Sequence, residues 1–249
     1  MQQASKTNPL FIVIMITIKG KNAFVTGSSR GIGQQIALGL AKLGANVIVH
    51  GRTKESTKKT LDLISKYPIK TYSVYGELSD KNELSKLIDR VKNLNIQIDI
   101  LYNNAAIMKA YHRDFWNHSW EEWIETYKVN VIAMYDLCGA FIPDMIKNNF
   151  GRVINLTSGI KDQPELAPYG ASKWAVNKIT DDIASKLKNT GVRINTLDPG
   201  WLKTDMGGEN AEYPVEAVLP GALAPALVAD DGPNGEFFSA INHNLNISL

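Results

Sequence analysis

Thr26-Gly27-Ser28-Ser29-Arg30-Gly31-Ile32-Gly33 follows a short apolar run at 22–26 and opens a helical pattern at 31–43. Glycines between a strand and a helix allow a tight turn and let the backbone approach a pyrophosphate closely. The helix behind them offers free N–H groups and a partial positive charge to that phosphate. The plainer alternative is a glycine turn that merely closes helix against strand. A place at the head of a strand–turn–helix unit favours the dinucleotide reading.

The same alternation runs outward from this turn. Apolar runs predict strands at 22–26, 46–50, 71–75, 98–102, 152–156, 193–197 and 236–238. Helical patterns lie between them near 31–43, 54–66, 80–94, 120–148, 169–189 and 215–228. Several strands are apolar on both faces, as parallel strands covered by helices must be. We therefore expect an α/β fold, a single doubly wound parallel-sheet (Rossmann) domain. Asp80-Lys-Asn-Glu83 and Ser119-Trp-Glu-Glu122 read as capping pairs that start two of the helices. Glu121-Glu122 is accordingly helix-start electrostatics rather than a pair of catalytic acids.

No Pro/Gly/Ser linker or repeat divides the chain, so one dinucleotide-binding and catalytic domain is expected over 20–249. Residues 1–19 form an N-terminal extension in which Met15 is an alternative start. The apolar run at 10–18 is shorter than the roughly twenty residues a membrane span needs. It has no small-residue cleavage site either, so neither an anchor nor a signal peptide is expected. A net charge of +2 with mixed signs, and no basic run, argues against nucleic acid. Cys138 is the only cysteine and lies in an apolar helical stretch. It reads as a buried small hydrophobe rather than a reactive thiol, and suits a reducing, cytoplasmic setting.

The second strand ends in His50-Gly51-Arg52-Thr53, without the carboxylate that an NAD site usually places there for the ribose hydroxyls. Arg52 and Arg30 are both suited to a 2′-phosphate, so NADP(H) is the expected cofactor. Further on, Tyr169-Gly-Ala-Ser-Lys173 begins a helical pattern just after Pro168. A spacing of four puts phenol and ammonium on one helix face, one turn apart. A phenol with a pKa of about 10 is a poor acid–base group at neutral pH, and a lysine cation nearby favours its ionised form. Taken alone, such a pair usually marks an exposed helix face. Here three more strand ends carry polar or turn residues: Thr157-Ser158, Asn103-Asn104-Ala105 and Pro199-Gly200. The C-terminal edge of a parallel sheet is where such folds bind ligands.

With these residues in hand, the chain resembles the short-chain dehydrogenase/reductase family in its single-domain branch, from Gly20 to Phe238. The marks are Thr26-Gly-x-x-x-Gly31-x-Gly33, Asn103-Asn104-Ala105, Asn130, Ser158, Tyr169-x-x-x-Lys173, and Pro199-Gly200 with Thr204. The resemblance implies an oxidoreductase that interconverts a ketone or aldehyde and an alcohol by hydride transfer. Tyr169 would be the acid in reduction and the base in oxidation. Lys173 would hold the nicotinamide ribose and lower the tyrosine pKa, while Ser158 would donate to the substrate oxygen. Asn130 would hold a water that completes a proton relay to Lys173. Gly27, Ser29, Arg30, Gly31, Ile32 and Gly33 would cradle the phosphates, with Arg52, Glu77 and Leu78 at the adenosine end. Asn104 and Ala105 would line the ribose side; Pro199, Gly200, Leu202 and Thr204 would reach the carboxamide side.

Three positions depart from the family pattern. Ala106 replaces the usual glycine after Asn-Asn-Ala, and Glu77 replaces the usual Asp. Ser158 and Tyr169 also stand closer together than in most members, which shortens 159–167. The segment 206–213, where a substrate lid would begin, is short and gives no clear acyl-carrier preference. A 3-oxoacyl thioester is therefore one substrate option and a free ketone or aldehyde another. The rival from a different class is a non-catalytic, nucleotide-sensing protein on the same fold.

Tyr111, His112, Phe115, Trp116, Trp120 and Trp123 form an aromatic cluster that reads either as helix packing and subunit contact or as a substrate wall. The four histidines, His50, His112, His118 and His243, show no ligand spacing, so no metal site is expected. In 169–189, Trp174, Val176, Ile179, Ile183 and Leu187 spread too widely for one packed stripe. That surplus, with the resemblance, points to a homodimer or homotetramer.

Overall fold

The computed structural model describes residues 15–242. Seven parallel strands form one sheet: β1 (Asn22–Val25), β2 (Asn46–Gly51), β3 (Thr71–Tyr75), β4 (Ile100–Asn103), β5 (Gly151–Leu156), β6 (Val192–Asp198) and β7 (Phe237–Ser239). Their order across the sheet is β3-β2-β1-β4-β5-β6-β7. The chain winds outward from β1 to β3, then returns to place β4 beside β1. A crevice opens beyond the carboxyl ends of the strands wherever strand order reverses in this way. The expected doubly wound α/β architecture is the one observed.

Alternation along each strand supplies both cores. Ala23 and Val25 of β1, with Val47 and Val49 of β2, point to the face covered by α1 (Gly31–Lys42) and by residues 221–226. Phe24 and Ile48 point the other way, into a cluster with Leu87 of α3 (Lys81–Lys92) and Leu137 and Phe141 of α5 (Met134–Lys147). Val176 of α6 (Ala167–Lys186) joins that second cluster. Arg152 of β5 breaks the apolar rule while being fully buried. Its guanidinium donates to the carbonyls of Val228, Gly151 and Gly191 and pairs with Asp230, so its donors are satisfied.

Both capping expectations meet a real cap. Asp80 accepts from the N–H groups of Asn82 and Glu83, both at 2.9 Å. Ser119 and Glu122 form a reciprocal capping box at the start of α4 (Trp120–Tyr127).

Four expectations change on inspection. The helix expected at 120–148 contains a π-helical stretch, Lys128–Ala133, between α4 and α5, and this widened turn carries the buried Asn130. The pattern at 54–66 is a short 3₁₀ turn, Glu55–Thr57, followed by α2 (Lys58–Ile64). The helix expected at 215–228 is two 3₁₀ stretches, Val215–Val218 and Gly221–Ala226. Pro220 and Pro225 lack the N–H groups that a continuous helix requires. Of the residues read as surplus on α6, Val176 and Leu187 are buried and Ile179 and Ile183 pack against the core, leaving only Trp174 well exposed.

Residues 16–18, read from sequence as part of an extension, lie against the domain. Ile16 N–H donates to Leu227 O at 2.9 Å, and Ile18 is in the core. Residues 1–14 lie outside the described region. The run Trp120–Lys147 is apolar and long enough to cross a membrane by length and composition, but its most apolar window is 56% buried against this domain. Cys138 is buried within that run, which pushes its thiol up to about 12.

Candidate active site

Thr26 ends β1 and anchors the wall of the crevice. Its hydroxyl accepts from the N–H groups of Asn104 and Ala105 at 3.0 and 3.1 Å. The Asn104 amide donates back to Thr26 O at 2.8 Å and Gly27 O at 3.2 Å. The ends of β1 and β4 are thus stitched together beside the phosphate-binding turn. Gly27 and Gly31 have φ of +62° and +58°, the left-handed region that favours glycine. A Cβ on Gly33 would lie 2.5 Å from both Gly27 O and Asn104 Nδ2, and one on Gly27 2.9 Å from Ala105 Cα. These glycines are required by geometry as well as by any ligand.

A cavity of about 660 Å³ runs from this turn across the strand ends. Gly27, Ser29, Arg30, Gly31, Ile32 and Gly33 line one end, with Arg52, Glu77 and Leu78. Asn104, Ala105, Tyr169, Lys173, Pro199 and Thr204 line the rest. Four residues singled out from sequence are not on this lining. Leu202 is packed in the core, Asn130 is buried in the π-helical stretch, Gly200 sits behind Pro199, and Ser158 meets the cleft through Tyr169.

Tyr169 stands in the first turn of α6, with Lys173 one turn further on. The Lys173 ammonium is buried, donates to Leu156 O at 2.9 Å and lies 5.6 Å from the Tyr169 ring centre. Ser158 hydrogen-bonds the Tyr169 hydroxyl. Burial pushes that phenol up to about 12, with Ser158 opposing the rise and the Asp198 carboxylate adding to it. Burial also lowers Lys173 to about 8, against the attraction of Asp198. The lowering of Tyr169 by Lys173 expected from sequence is not seen: loss of solvent around the phenol dominates, and Ser158 is the group that opposes it. Asn130 is fully engaged: Oδ1 accepts from Ile107 N at 2.8 Å, and Nδ2 donates to Ile107 O and to Ser172 Oγ.

A family model described as short chain dehydrogenase matches residues 21–214. The chain belongs to the short-chain dehydrogenase family. It is 34% identical over 194 residues to a 3-oxoacyl-[acyl-carrier-protein] reductase of Aquifex aeolicus, covering 77% of each chain. It is also 34% identical over 200 residues to an L-rhamnose 1-dehydrogenase (NADP(+)) of Thermoplasma acidophilum, covering 79% of this chain and 78% of that one. Among solved structures, a 3-oxoacyl (acyl-carrier-protein) reductase of Agrobacterium tumefaciens with NADP bound superposes with a TM-score of 0.80. It is 25% identical, with 94% of this chain and 98% of that chain covered.

Sequence reasoning missed three groups in this short-chain dehydrogenase. Lys59 is a further cation on the cavity wall, a helical residue without a motif to mark it. Asp198 ends β6, and its carboxyl accepts from the N–H groups of Gly200 and Gly159 while burial pushes its pKa up. The proline-glycine that follows drew attention away from it. His50 is the third. Its Nδ1 accepts from Gly27 N at 3.0 Å, and its Nε2 pairs with Gly76 O at 3.1 Å. Those partners fix a neutral Nε2–H ring that holds the phosphate-binding turn against β2.

Burial lowers His50 from 6.5 to about 4. Because protonation is easier in the unfolded chain, stability is full above about pH 6.5 and falls as pH drops towards 4. At pH 5 the loss due to this one ring is on the order of 2 kcal/mol. Urea melts between pH 7 and 5 should show that fall, and His50→Gln should flatten it while lowering stability at pH 7. An unchanged slope in the variant would show that the ring does not titrate this way.

Proposed function

We propose that this short-chain dehydrogenase interconverts a ketone or aldehyde and an alcohol by NADP(H)-dependent hydride transfer, with Tyr169 as acid and base. The observation that carries the reading is the meeting of Ser158, Tyr169 and Lys173 at one end of the cleft that the phosphate-binding turn opens. The cradle suits a dinucleotide. Its glycines keep the turn packed close against Asn104 and Ala105, and the cavity they line continues to the strand ends. When bound, NADPH would supply the hydride. The protein's part is to hold the carbonyl and move a proton.

Tyr169 keeps its proton at neutral pH, which is the form that donates to a carbonyl oxygen during reduction. Ser158 is hydrogen-bonded to the phenol and is placed to turn its single proton towards the developing charge on the substrate oxygen. Lys173 remains largely cationic at pH 7 and is the next group inward for proton return. The Asn130 side chain is committed to Ile107 and Ser172, so a relay water would meet this residue through its main chain. The relatives named above differ in substrate, one an acyl-carrier thioester and the other a sugar. Carbonyl–alcohol exchange is what we carry over. The nucleotide-sensing alternative would have no use for the assembled Ser158–Tyr169–Lys173 group.

Tyr169→Phe removes only the hydroxyl. Turnover with a panel of ketones and NADPH should fall by about 10²–10⁴-fold, while NADPH binding followed by fluorescence stays nearly unchanged. Retention of more than roughly a tenth of the wild-type rate would refute the role.

Arg52 is exposed at the cavity rim, Arg30 is held at 3.0 Å from Asp205, and Lys59 lies on the same wall. With Arg30 already paired to Asp205, Arg52 and Lys59 are the cations free to favour a 2′-phosphate over a free ribose hydroxyl. Arg52→Asp should therefore move the ratio of kcat/KM for NADPH over NADH towards NADH. An unchanged ratio would place phosphate recognition on the other two cations.

Ile132, Tyr135 and Trp174 remain more than half exposed on the helices α5 and α6 and the π-helical stretch. We assign them to contact between copies of the chain, as a homodimer or homotetramer. Sedimentation equilibrium at micromolar protein should give a mass at least twice that of one chain; a single monomeric species would rule the contact out.

A further inference from the structure

His112, His118 and Glu122 have no spacing that marks a metal site, yet the fold gathers them. One ligand atom from each lies within 4.8 Å of the others. His112 and His118 meet edge to face with ring centres 4.7 Å apart. Glu122 stands between them, with Oε1 2.8 Å from His112 Nε2 and Oε2 3.9 Å from His118 Nδ1. We propose that these three side chains bind a divalent transition-metal ion, with zinc the best match, and that solvent completes the coordination.

The independent observation is the state of His118. Its side chain is only 4% exposed, and its Nδ1 is buried without a hydrogen-bond partner. Its other nitrogen, Nε2, lies 3.2 Å from Pro164 O. Donation to that carbonyl puts the proton on Nε2 and leaves a bare lone pair on Nδ1, facing the cluster. A ring whose outer nitrogen donates to a carbonyl while the inner one is free is the arrangement that metal-binding histidines adopt. An unpaired buried acceptor is otherwise costly, and a cation would satisfy it.

Donor chemistry and size agree. Two imidazoles and one carboxylate are the borderline donors that zinc takes in three-ligand sites with an open position. His112 and Glu122 keep partial exposure, which leaves that position to water. Ligand atoms around a tetrahedral zinc stand about 3.4 Å apart. The ligand atoms now lie within 4.8 Å of one another, so closing the cluster needs side-chain shifts of about half an ångström for each histidine–Glu122 pair and up to about 1.4 Å for the widest pair. Coordination through Nε2 requires His112 to give up the proton it shares with Glu122 at that nitrogen, carrying one on Nδ1 instead. The Glu122 carboxylate is already oriented by accepting from Ser119 N at 2.9 Å, which holds it towards the two histidines.

The site would act as a clip. His112 N–H donates to Glu165 O, and His118 reaches Pro164 O, so both histidines already touch the segment just before Tyr169. A metal here would tie the loop after β4 to the start of α4, and steady 159–167 only through the bonds His112 and His118 already make to Glu165 O and Pro164 O. It would rigidify one wall of the substrate side without touching the reacting atoms.

The test uses the full chain without a histidine tag, stripped with chelator and dialysed. Isothermal titration with Zn²⁺ should give one equivalent per chain, and Co²⁺ should produce the intense visible bands of a four-coordinate site. Zinc should also raise Tm. Losing a ligand should weaken binding by at least the roughly 10–100-fold that outer-shell changes cost. We expect that loss in His118→Ala, His112→Gln and Glu122→Gln, together with loss of the cobalt bands. His112→Gln and Glu122→Gln change partly exposed residues and decide the matter if His118→Ala does not fold. Absence of binding in the wild type would overturn the proposal and leave a simple His112–Glu122 ion pair. Binding retained at full strength in both Gln variants would overturn it equally, because the ion would then sit elsewhere. None of these readouts depends on turnover, so the clip and the proposed reaction stand or fall separately.

Discussion

The stitch between Thr26 and Asn104 is the constraint on which the rest of the site depends. Strand order reverses between β1 and β4, and nothing in sheet pairing alone closes the gap beyond their ends. A hydroxyl and an amide close it with four hydrogen bonds. Once they do, the backbone at Gly27 and Gly33 is pressed so near Asn104 and Ala105 that no Cβ fits. The glycine spacing that looks like a ligand signature is therefore first a consequence of two strand ends drawn together. The backbone at Gly27 and Gly33 is left without a Cβ by the same squeeze, and its neighbouring N–H groups are then open to phosphate.

Behind that surface the structure buries polar groups and satisfies them in sets. His50 joins β2 to the phosphate turn, Asn155 links Asn103 to Thr180, and Asn130 binds the loop after β4 to α6 through Ser172. Each amide or imidazole replaces an apolar contact that would hold position less specifically. The geometry of such a network is held because displacement would unpair further buried groups, beyond the Asn103 Oδ1 that already lacks a partner. This is how a cleft lined mainly by loops keeps its shape.

Periodicity made most of the architecture legible. All seven main strands fall within a few residues of their expected limits, since hydrophobic alternation and short apolar runs are local properties. What escaped depends on partners far away in sequence. The π-helical stretch at Lys128–Ala133 has ordinary helical composition, and Asn130 reveals its purpose only when Ile107 is beside it. The excess apolar residues on α6 mostly disappear because that helix packs against its neighbours α4 and the π-helical stretch as well as the sheet. The run at 215–228 failed for a local reason that was available, as two prolines should have demoted it. In the site, Tyr169, Lys173 and Ser158 were readable from spacing and strand ends. Their protonation was not, because solvent exclusion is a property of the assembled fold.

Asp198 shows how that protonation is governed. Burial disfavours the charged form of both Asp198 and Lys173, yet each supports the other's charge across the site. The same carboxylate opposes ionisation of Tyr169. A lysine alone would draw the phenol towards phenolate; a lysine backed by a buried carboxylate does so much less, because its field is partly cancelled at the phenol oxygen. Two backbone N–H groups, from Gly159 and Gly200, hold the carboxylate in place, and Gly159 lets it approach where a Cβ would stand only 2.8 Å away. The strand ends of β5 and β6 therefore set the charge balance of the buried phenol carried by α6. The acid form of Tyr169 is a product of sheet topology as much as of the helix that bears it.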